Sequence, residues 1–335
     1  MSAPMLILGI ETSCDDTSIC LLTGNGEILA WNTFSQEQML KKWGGIVPEI
    51  ASRNHLAKLV PLMEEVFEAA EKSPKDLDLI GVTTHPGLLG PLLTGLNAAK
   101  TISLLYKIPI VAVNHLYAHL EVIHLEKKIS YPYLGVVVSG GHSLFMKVTS
   151  PVDFEILGST IDDAAGEAFD KGAKLLGLGY PGGKMIDDLA KEGNALKYEF
   201  PIGLKSSADA NLSFSGVKTS LRNFISGKDL KDLPDICASY QHAIVSALEL
   251  KLRYALKKSG KMPIVVGGGV ACNSYLRTIL EQKYPDVHFV PPKFCTDNGA
   301  MIANYARLAK DQAIPFPDCL GLDAKGRVIS KGAKS

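Results

Sequence analysis

The feature that most constrains this chain is a pattern that occurs twice. L-I-L-G-I-E-T-S-C-D-D-T-S-I-C-L-L at Leu6–Leu22 reads as a strand, a polar turn and a second strand, and Y-L-G-V-V-V-S-G-G-H-S-L-F-M-K-V at Tyr133–Val148 repeats that design. Residues Leu77–His119 then give strand, Pro/Gly loop, helix, strand and a new helix opening at Asn114. Met262–Ala309 follows the same order. Two copies of a full βαβ set predict a duplicated α/β fold of two related lobes, not a solenoid. The expected boundaries are 1–129 for the first lobe, 130–324 for the second and 325–335 for a Lys-rich tail. The last helix, from about 299, is left free to pack back on the first lobe. Ligands are expected between the lobes.

The 335 residues suit two cores, because single cores stop growing near about 250–300 residues. No segment approaches the ~18 uninterrupted apolar residues of a membrane span. Met5–Ile10 has no basic residue before it and meets Glu11 at once, so it is expected to be a buried strand and not a secretory signal. The six cysteines form no C-x-x-C pair, which fits reduced thiols and a cytoplasmic location. Lys+Arg and Asp+Glu are both 35, so long-range attraction alone cannot hold a polyanion. Two long helices are expected as lobe coverings, one from Pro48 and one across D-I-C-A-S-Y-Q-H-A-I-V-S-A-L-E-L-K-L-R-Y-A-L-K-K-S-G.

His115 and His119 lie four apart in N-H-L-Y-A-H, which puts both imidazoles on one helical face, a metal-binding spacing. Asp297, in C-T-D-N-G-A-M, occupies the equivalent point of the second copy, so pseudo-twofold symmetry would carry it across the cleft toward the pair. The plain alternative for Asp297 is a helix N-cap. Two imidazoles and a carboxylate suit iron(II) or zinc. A zincin needs Glu directly after the first His, where this chain has Leu116, so a metalloprotease is disfavoured. V-S-G-G-H at Val138–His142 offers bare amides to phosphate oxygens. G-G-G-V-A-C-N at Gly267–Asn273 lets a flat nucleoside lie against backbone, yet it is neither a G-x-G-x-x-G fingerprint nor a Walker loop. Asp170, Gly183 and Asp187 can hold a ribose or a polar substrate tail. For Asp162, Asp163 and Asp188 a solvated helix face is the better reading.

Taken together, G-I-E-T-S-C-D-D-T-S, G-G-I-V-P-E-I-A-S-R-N-H, N-H-L-Y-A-H, V-S-G-G-H-S, F-D-K-G-A-K-L-L-G-L-G-Y-P-G-G and G-G-G-V-A-C-N-S-Y-L-R resemble the bacterial TsaD family. The resemblance spans nearly the whole chain, with an extra glycine at Gly267 or Gly268 as its one local departure. It implies the actin-like ATPase fold shared with sugar kinases and the seventy-kilodalton chaperones. The implied activity is transfer of a threonylcarbamoyl group from threonylcarbamoyl-AMP to the exocyclic amine of the adenosine 3′ of the anticodon, in tRNAs reading codons that begin with A. Carried over residue by residue, the implied metal ligands are His115, His119 and Asp297. The implied substrate contacts are Val138, Ser139, Gly140, Gly141, His142, Asp170, Gly183, Asp187 and Asn273. Glu11 matches the place where actin-like relatives keep a phosphate- or metal-facing acid, which makes it a candidate catalytic residue.

The resemblance also implies two companions, the catalytically silent paralogue TsaB and the P-loop ATPase TsaE. Lys41–Lys42, Lys171, Lys174, Lys205, Lys218 and Arg222 offer only scattered positive charge for tRNA. An actin-like scaffold that binds nucleotide without chemistry, or a sugar kinase, are the competing classes.

Overall fold

The computed structural model describes residues 4–40, 46–226 and 232–327; Lys41–Lys42 and most of the expected tail lie outside the described residues. The chain divides into two compact units, residues 1–128 with 296–335, and residues 129–295. The second lobe expected at 130–324 therefore ends at Cys295, and the last helix packs back on the first unit, as the expectation left open.

In the first unit, β1 (Leu6–Glu11), β2 (Asp16–Thr23), β3 (Ile28–Ser35), β4 (Leu79–His85) and β5 (Ile110–Asn114) form one sheet in the order β3-β2-β1-β4-β5. The first three run antiparallel, whereas β4 and β5 run parallel to β1. A short helix, α1 (Glu37–Leu40), precedes α2 (Pro48–Ala69); α3 (Leu89–Tyr106) joins β4 to β5, and α4 (His115–Glu121) follows β5. Every residue of β1 is buried because both faces of the strand are covered. Leu6, Leu8 and Ile10 share a core with Leu59, Leu62 and Val66 of α2 and Leu92, Leu96 and Ala99 of α3. Full burial of each such side chain contributes about 1.5–3 kcal/mol.

The opposite face receives the last helix, and glycine makes the approach possible. A Cβ on Gly9 would stand 2.3 Å from the Gly299 carbonyl oxygen, and one on Gly81 would stand 2.6 Å from the Ala306 methyl. The backbone of that helix thus lies directly on β1 and β4, a separation that only glycine permits.

The second unit repeats the topology. β6 (Tyr133–Val138), β7 (Ser143–Ser150) and β8 (Asp153–Ser159) are antiparallel, and β9 (Ile264–Gly267) and β10 (Val287–Phe289) run parallel to β6 in the order β10-β9-β6-β7-β8. Its helices are α5 (Ala165–Leu175), α6 (Gly182–Ala190), α7 (Ser215–Ile225), α8 (Leu233–Ser259) and α9 (Ser274–Lys283). The last helix of the chain, α10 (Gly299–Leu308), returns to the first unit. The edge strands β3 and β8 go beyond the two-strand reading of each copy. Both are only partly buried, so neither shows the continuous apolar run of a central strand.

Candidate metal centre and glycine cradle

The first unit brings His115, His119 and Asp297 together. The Asn114 side chain accepts the Leu116 amide at 2.9 Å, which starts α4 with His115 and His119 one turn apart. Asn298, not Asp297, caps α10, accepting the Met301 amide at 2.8 Å, so the Asp297 carboxylate is not consumed as a cap. The Gly299 amide donates to Ser18 Oγ at 2.8 Å and fixes the start of α10 on β2. The Nε2 atoms of the two histidines are 3.1 Å apart. Asp297 Oδ1 lies 3.2 Å from His119 Nε2 and 3.4 Å from His115 Nε2. All three donors come from one unit, and the route is the return of α10, not the symmetry-related approach across a cleft expected from the duplication.

Glu11 stands behind this triangle. Its Oε2 is 3.0 Å from His115 Nδ1 and accepts the Thr83 hydroxyl at 2.6 Å, while Oε1 accepts the Ser13 amide. The carboxylate is fully buried, so it faces the imidazole and its own strand neighbours. A proton on His115 Nδ1 directed at Glu11 leaves Nε2 with a bare lone pair, the arrangement that orients a metal-binding imidazole. Ser13 and Thr83 were not singled out in the sequence. The only hint was the polar turn E-T-S-C-D-D, because long-range partners of a buried carboxylate leave no local pattern.

The electrostatics are those of a negative pocket. Burial opposes ionisation of Glu11, but the adjacent His115 outweighs it and holds the carboxyl below its ordinary value. Burial also opposes charge on His115, yet Asp297 and Glu11 push this imidazole up to about 9. His119 shifts downward, mainly through burial. Asp15 is raised to about 6 and Asp16 to about 8, first by burial and then by the charge of Asp297. Clustered carboxylates that resist ionisation together favour a divalent cation. The donor set fits one as well: separations of 3.1–3.4 Å are what three ligands span when each binds one ion at about 2.0–2.2 Å.

The second unit gathers most of the other candidates around its own helix starts. The Val138–His142 segment is the β6–β7 turn, closed by the Ser139 amide on the His142 carbonyl at 2.8 Å. Gly140 and Gly141 are exposed, and a Cβ on either would meet no atom within 4 Å. The Gly166 amide, in the first turn of α5, donates to the Ser139 carbonyl at 3.2 Å. Gly268, at φ +92°, lies against the Val138 carbonyl, where a Cβ would come within 2.5 Å. Asp170 accepts the Gly182 amide at 2.8 Å and anchors the start of α6, where Gly183 is the next residue. Asp187 accepts the Ser274 amide at 3.0 Å and hydroxyl at 2.9 Å. Asn273 caps α9 through the Leu276 amide at 2.8 Å and donates to Gln241 at 2.6 Å. Asp187 and Asn273 therefore shape the base of this region; Gln241 joins it unannounced by any motif, and Ser274 stood within G-G-G-V-A-C-N-S-Y-L-R without an assigned role.

Asp162 and Asp163 do more than line a solvated face. Asp162 caps α7 through the Phe214 and Ser215 amides, and Asp163 pairs with Lys171 and Lys218.

Comparison with known proteins gives the class first. T.kodakarensis HypF superposes with a TM-score of 0.64 at 15% identity, covering 92% of this chain and 48% of that one. The Acidaminococcus fermentans (R)-2-hydroxyglutaryl-CoA dehydratase component A gives 0.56 at 18%, covering 90% and 98%. The chain thus has the duplicated α/β actin-like ATPase fold. Residues 27–304 match the family described as TsaD: tRNA N6-adenosine threonylcarbamoyltransferase. Proteins of that name from Anaeromyxobacter sp. (strain Fw109-5) and Thermotoga neapolitana are 47% and 41% identical, covering 89% and 95% of this chain and 92% and 98% of theirs. The chain belongs to the TsaD family. Among the described residues, no helix is long and apolar enough to cross a membrane.

Proposed function

We propose that this chain is a cytoplasmic transferase that moves a threonylcarbamoyl group from threonylcarbamoyl-AMP to the exocyclic amine of the adenosine 3′ of the anticodon, in tRNAs reading codons that begin with A, releasing AMP. The observation that carries the reading is the His115–His119–Asp297 triangle, with both imidazoles buried, in a chain of this family. The three residues would hold one iron(II) or zinc ion. When bound, such an ion supplies Lewis acidity toward a carbonyl or carboxylate oxygen of the donor.

The protein's own groups do the rest. Glu11 fixes the orientation and tautomer of His115. The exposed amides of Gly140 and Gly141 suit close approach to the phosphate of AMP, the leaving group. Asp170, Asp187 and Asn273 hold the starts of α6 and α9 in place around the nucleotide and the threonyl tail. A purine amine is a weak nucleophile, so positioning against an activated donor supplies most of the acceleration. The competing scaffold reading gives the buried imidazoles nothing to do.

Tight tRNA binding requires phosphate contacts, and this chain is neutral overall. Lys171 and Lys218 are moreover committed to Asp163. This supports a need for companions, a TsaB-type paralogue and a TsaE-type ATPase. The exposed Leu56 and Val60 of α2 and Leu104 and Leu105 of α3 provide an apolar helix surface for the paralogue. Mass spectrometry of tRNA nucleosides after reaction with threonylcarbamoyl-AMP, with and without the added proteins, tests both parts. Absence of threonylcarbamoyladenosine in the full mixture would overturn the transferase reading, and many unaided turnovers by this chain would overturn the need for companions.

A further inference from the structure

The residues just before Asn273 and Asp297 carry a thiol pair that the transfer reaction does not use. Of the six cysteines, Cys272 is the exposed one, at the end of the short helical turn Gly269–Cys272 that precedes α9. Cys295 is buried at the end of another such turn, Pro292–Phe294. Arg277 of α9 ties the two turns together. Its Nε donates to the carbonyl of Ala271 at 2.7 Å, next to Cys272, and its Nη2 donates to the carbonyl of Val290 at 3.3 Å. Cys295 donates its thiol proton to that same Val290 carbonyl at 3.3 Å. One guanidinium therefore braces the backbone beside one cysteine and shares an acceptor with the other.

We propose that Cys272 and Cys295 are a redox modification site, which hydroperoxides convert to a reversible intramolecular disulfide. Cys272 is the attacking sulfur because it is the exposed one and has a cation beside it, the surroundings that make a thiol reactive. The neighbouring Cys295 thiol is the first cause, and with Arg277 it outweighs burial and brings this thiol down to about 7. The Cys272 thiolate attacks one peroxide oxygen, the O–O bond breaks, and a sulfenic acid forms as hydroxide or alkoxide leaves and takes up a proton. The Cys295 sulfur then attacks the Cys272 sulfur, the S–O bond breaks, and water departs with the Cys295 proton. Two thiols lose two electrons, and hydrogen peroxide is reduced to two waters, or an alkyl hydroperoxide to one water and an alcohol.

The bond would reach both parts of the proposed site through the chain. Cys272 immediately precedes Asn273, the cap of α9, and Cys295 lies two residues before Asp297. Drawing the exposed sulfur onto the buried one displaces the Asn273 cap, so oxidation is expected to lower transfer activity at least about tenfold, the scale at which small displacements of positioning groups act. Dithiothreitol restores it.

The test is titration of the full chain with hydrogen peroxide, followed by intact-mass and non-reducing peptide analysis. Loss of two hydrogens with a Cys272–Cys295 linked peptide, abolished in Cys272→Ser and reversed by dithiothreitol, is the expected result. A linkage involving any other cysteine, or sulfenic and higher acids on Cys272 with no disulfide, overturns the proposal. Because the readout is covalent mass, a failure of the transferase reading would leave this result standing, and the converse also holds.

Discussion

The two units have one topology but different contents. In the first, the β1–β2 region and the start of α4 supply charged, buried side chains: Glu11, His115 and His119 are all nearly inaccessible. In the second, the matching β6–β7 turn supplies glycine backbone, with Gly140 and Gly141 open to solvent. The duplicated sheet thus gives two equivalent ledges, one lined by ionisable side chains and one by open glycine backbone. The difference teaches that fold symmetry fixes where a site can lie, whereas the local residue type decides what it binds.

The most direct way to break this comparison is to empty the first ledge. His115→Ala, His119→Ala and Asp297→Ala are each expected to lose bound metal by elemental analysis and to lose transfer activity by at least about 100-fold, more than the 10–100-fold typical of outer partners. Circular dichroism should stay native, with the melting temperature a few degrees lower because both rings are buried. Full metal content in all three variants would refute the assignment.

Glu11→Gln sharpens the same contrast. The amide keeps the shape but loses the charge behind His115, so metal affinity is expected to fall about 10–100-fold while ligand count stays the same. A chelator competition assay measures it, and unchanged affinity would show that Glu11 does not orient the imidazole.

Acidity offers a third handle. The two neighbouring carboxylates raise His115 to about 9 against the effect of burial, so in the metal-free protein this ring is protonated below that pH. An ion must then displace the proton. Apparent affinity should rise about tenfold per pH unit up to about 9 and flatten above it. Proton release on metal addition, followed in weak buffer, checks the sign; affinity that falls as pH rises would contradict it.

Much of this was legible in the sequence, for physical reasons. The buried strands β1 and β6 are continuous apolar runs, the long helices α2 and α8 carry clear start and stop residues, and a pair of histidines one turn apart needs only helical geometry. The return of the last helix was left open in the sequence, but the contact that fixes it was not legible. It rests on Gly9, Gly81 and Gly299 letting helix and sheet backbones touch, and a missing side chain does not announce what will occupy its space. Asp297 was picked by analogy with the first copy, and the structure delivers it by this different packing route. The partners of Glu11 were also hidden, since Thr83 is seventy-two residues away along the chain.

The mildest test separates the glycines of the second ledge by what they are for. Gly268 has φ +92° and faces the Val138 carbonyl, so an alanine there meets backbone that cannot retreat cheaply. Gly268→Ala should therefore destabilise the protein by about 1–3 kcal/mol, the usual cost of a strained backbone position. Gly140 does not adopt a left-handed backbone conformation, and an added Cβ meets nothing within 4 Å. Gly140→Ala should leave global stability within about 0.5 kcal/mol, as surface changes do. If its amide is where the nucleotide phosphate comes close, that same methyl weakens binding of AMP several-fold in calorimetry without moving the melting temperature. Equal stability losses in the two variants would mean that Gly140 serves the fold, and the division between an ionic ledge and a backbone ledge would fail.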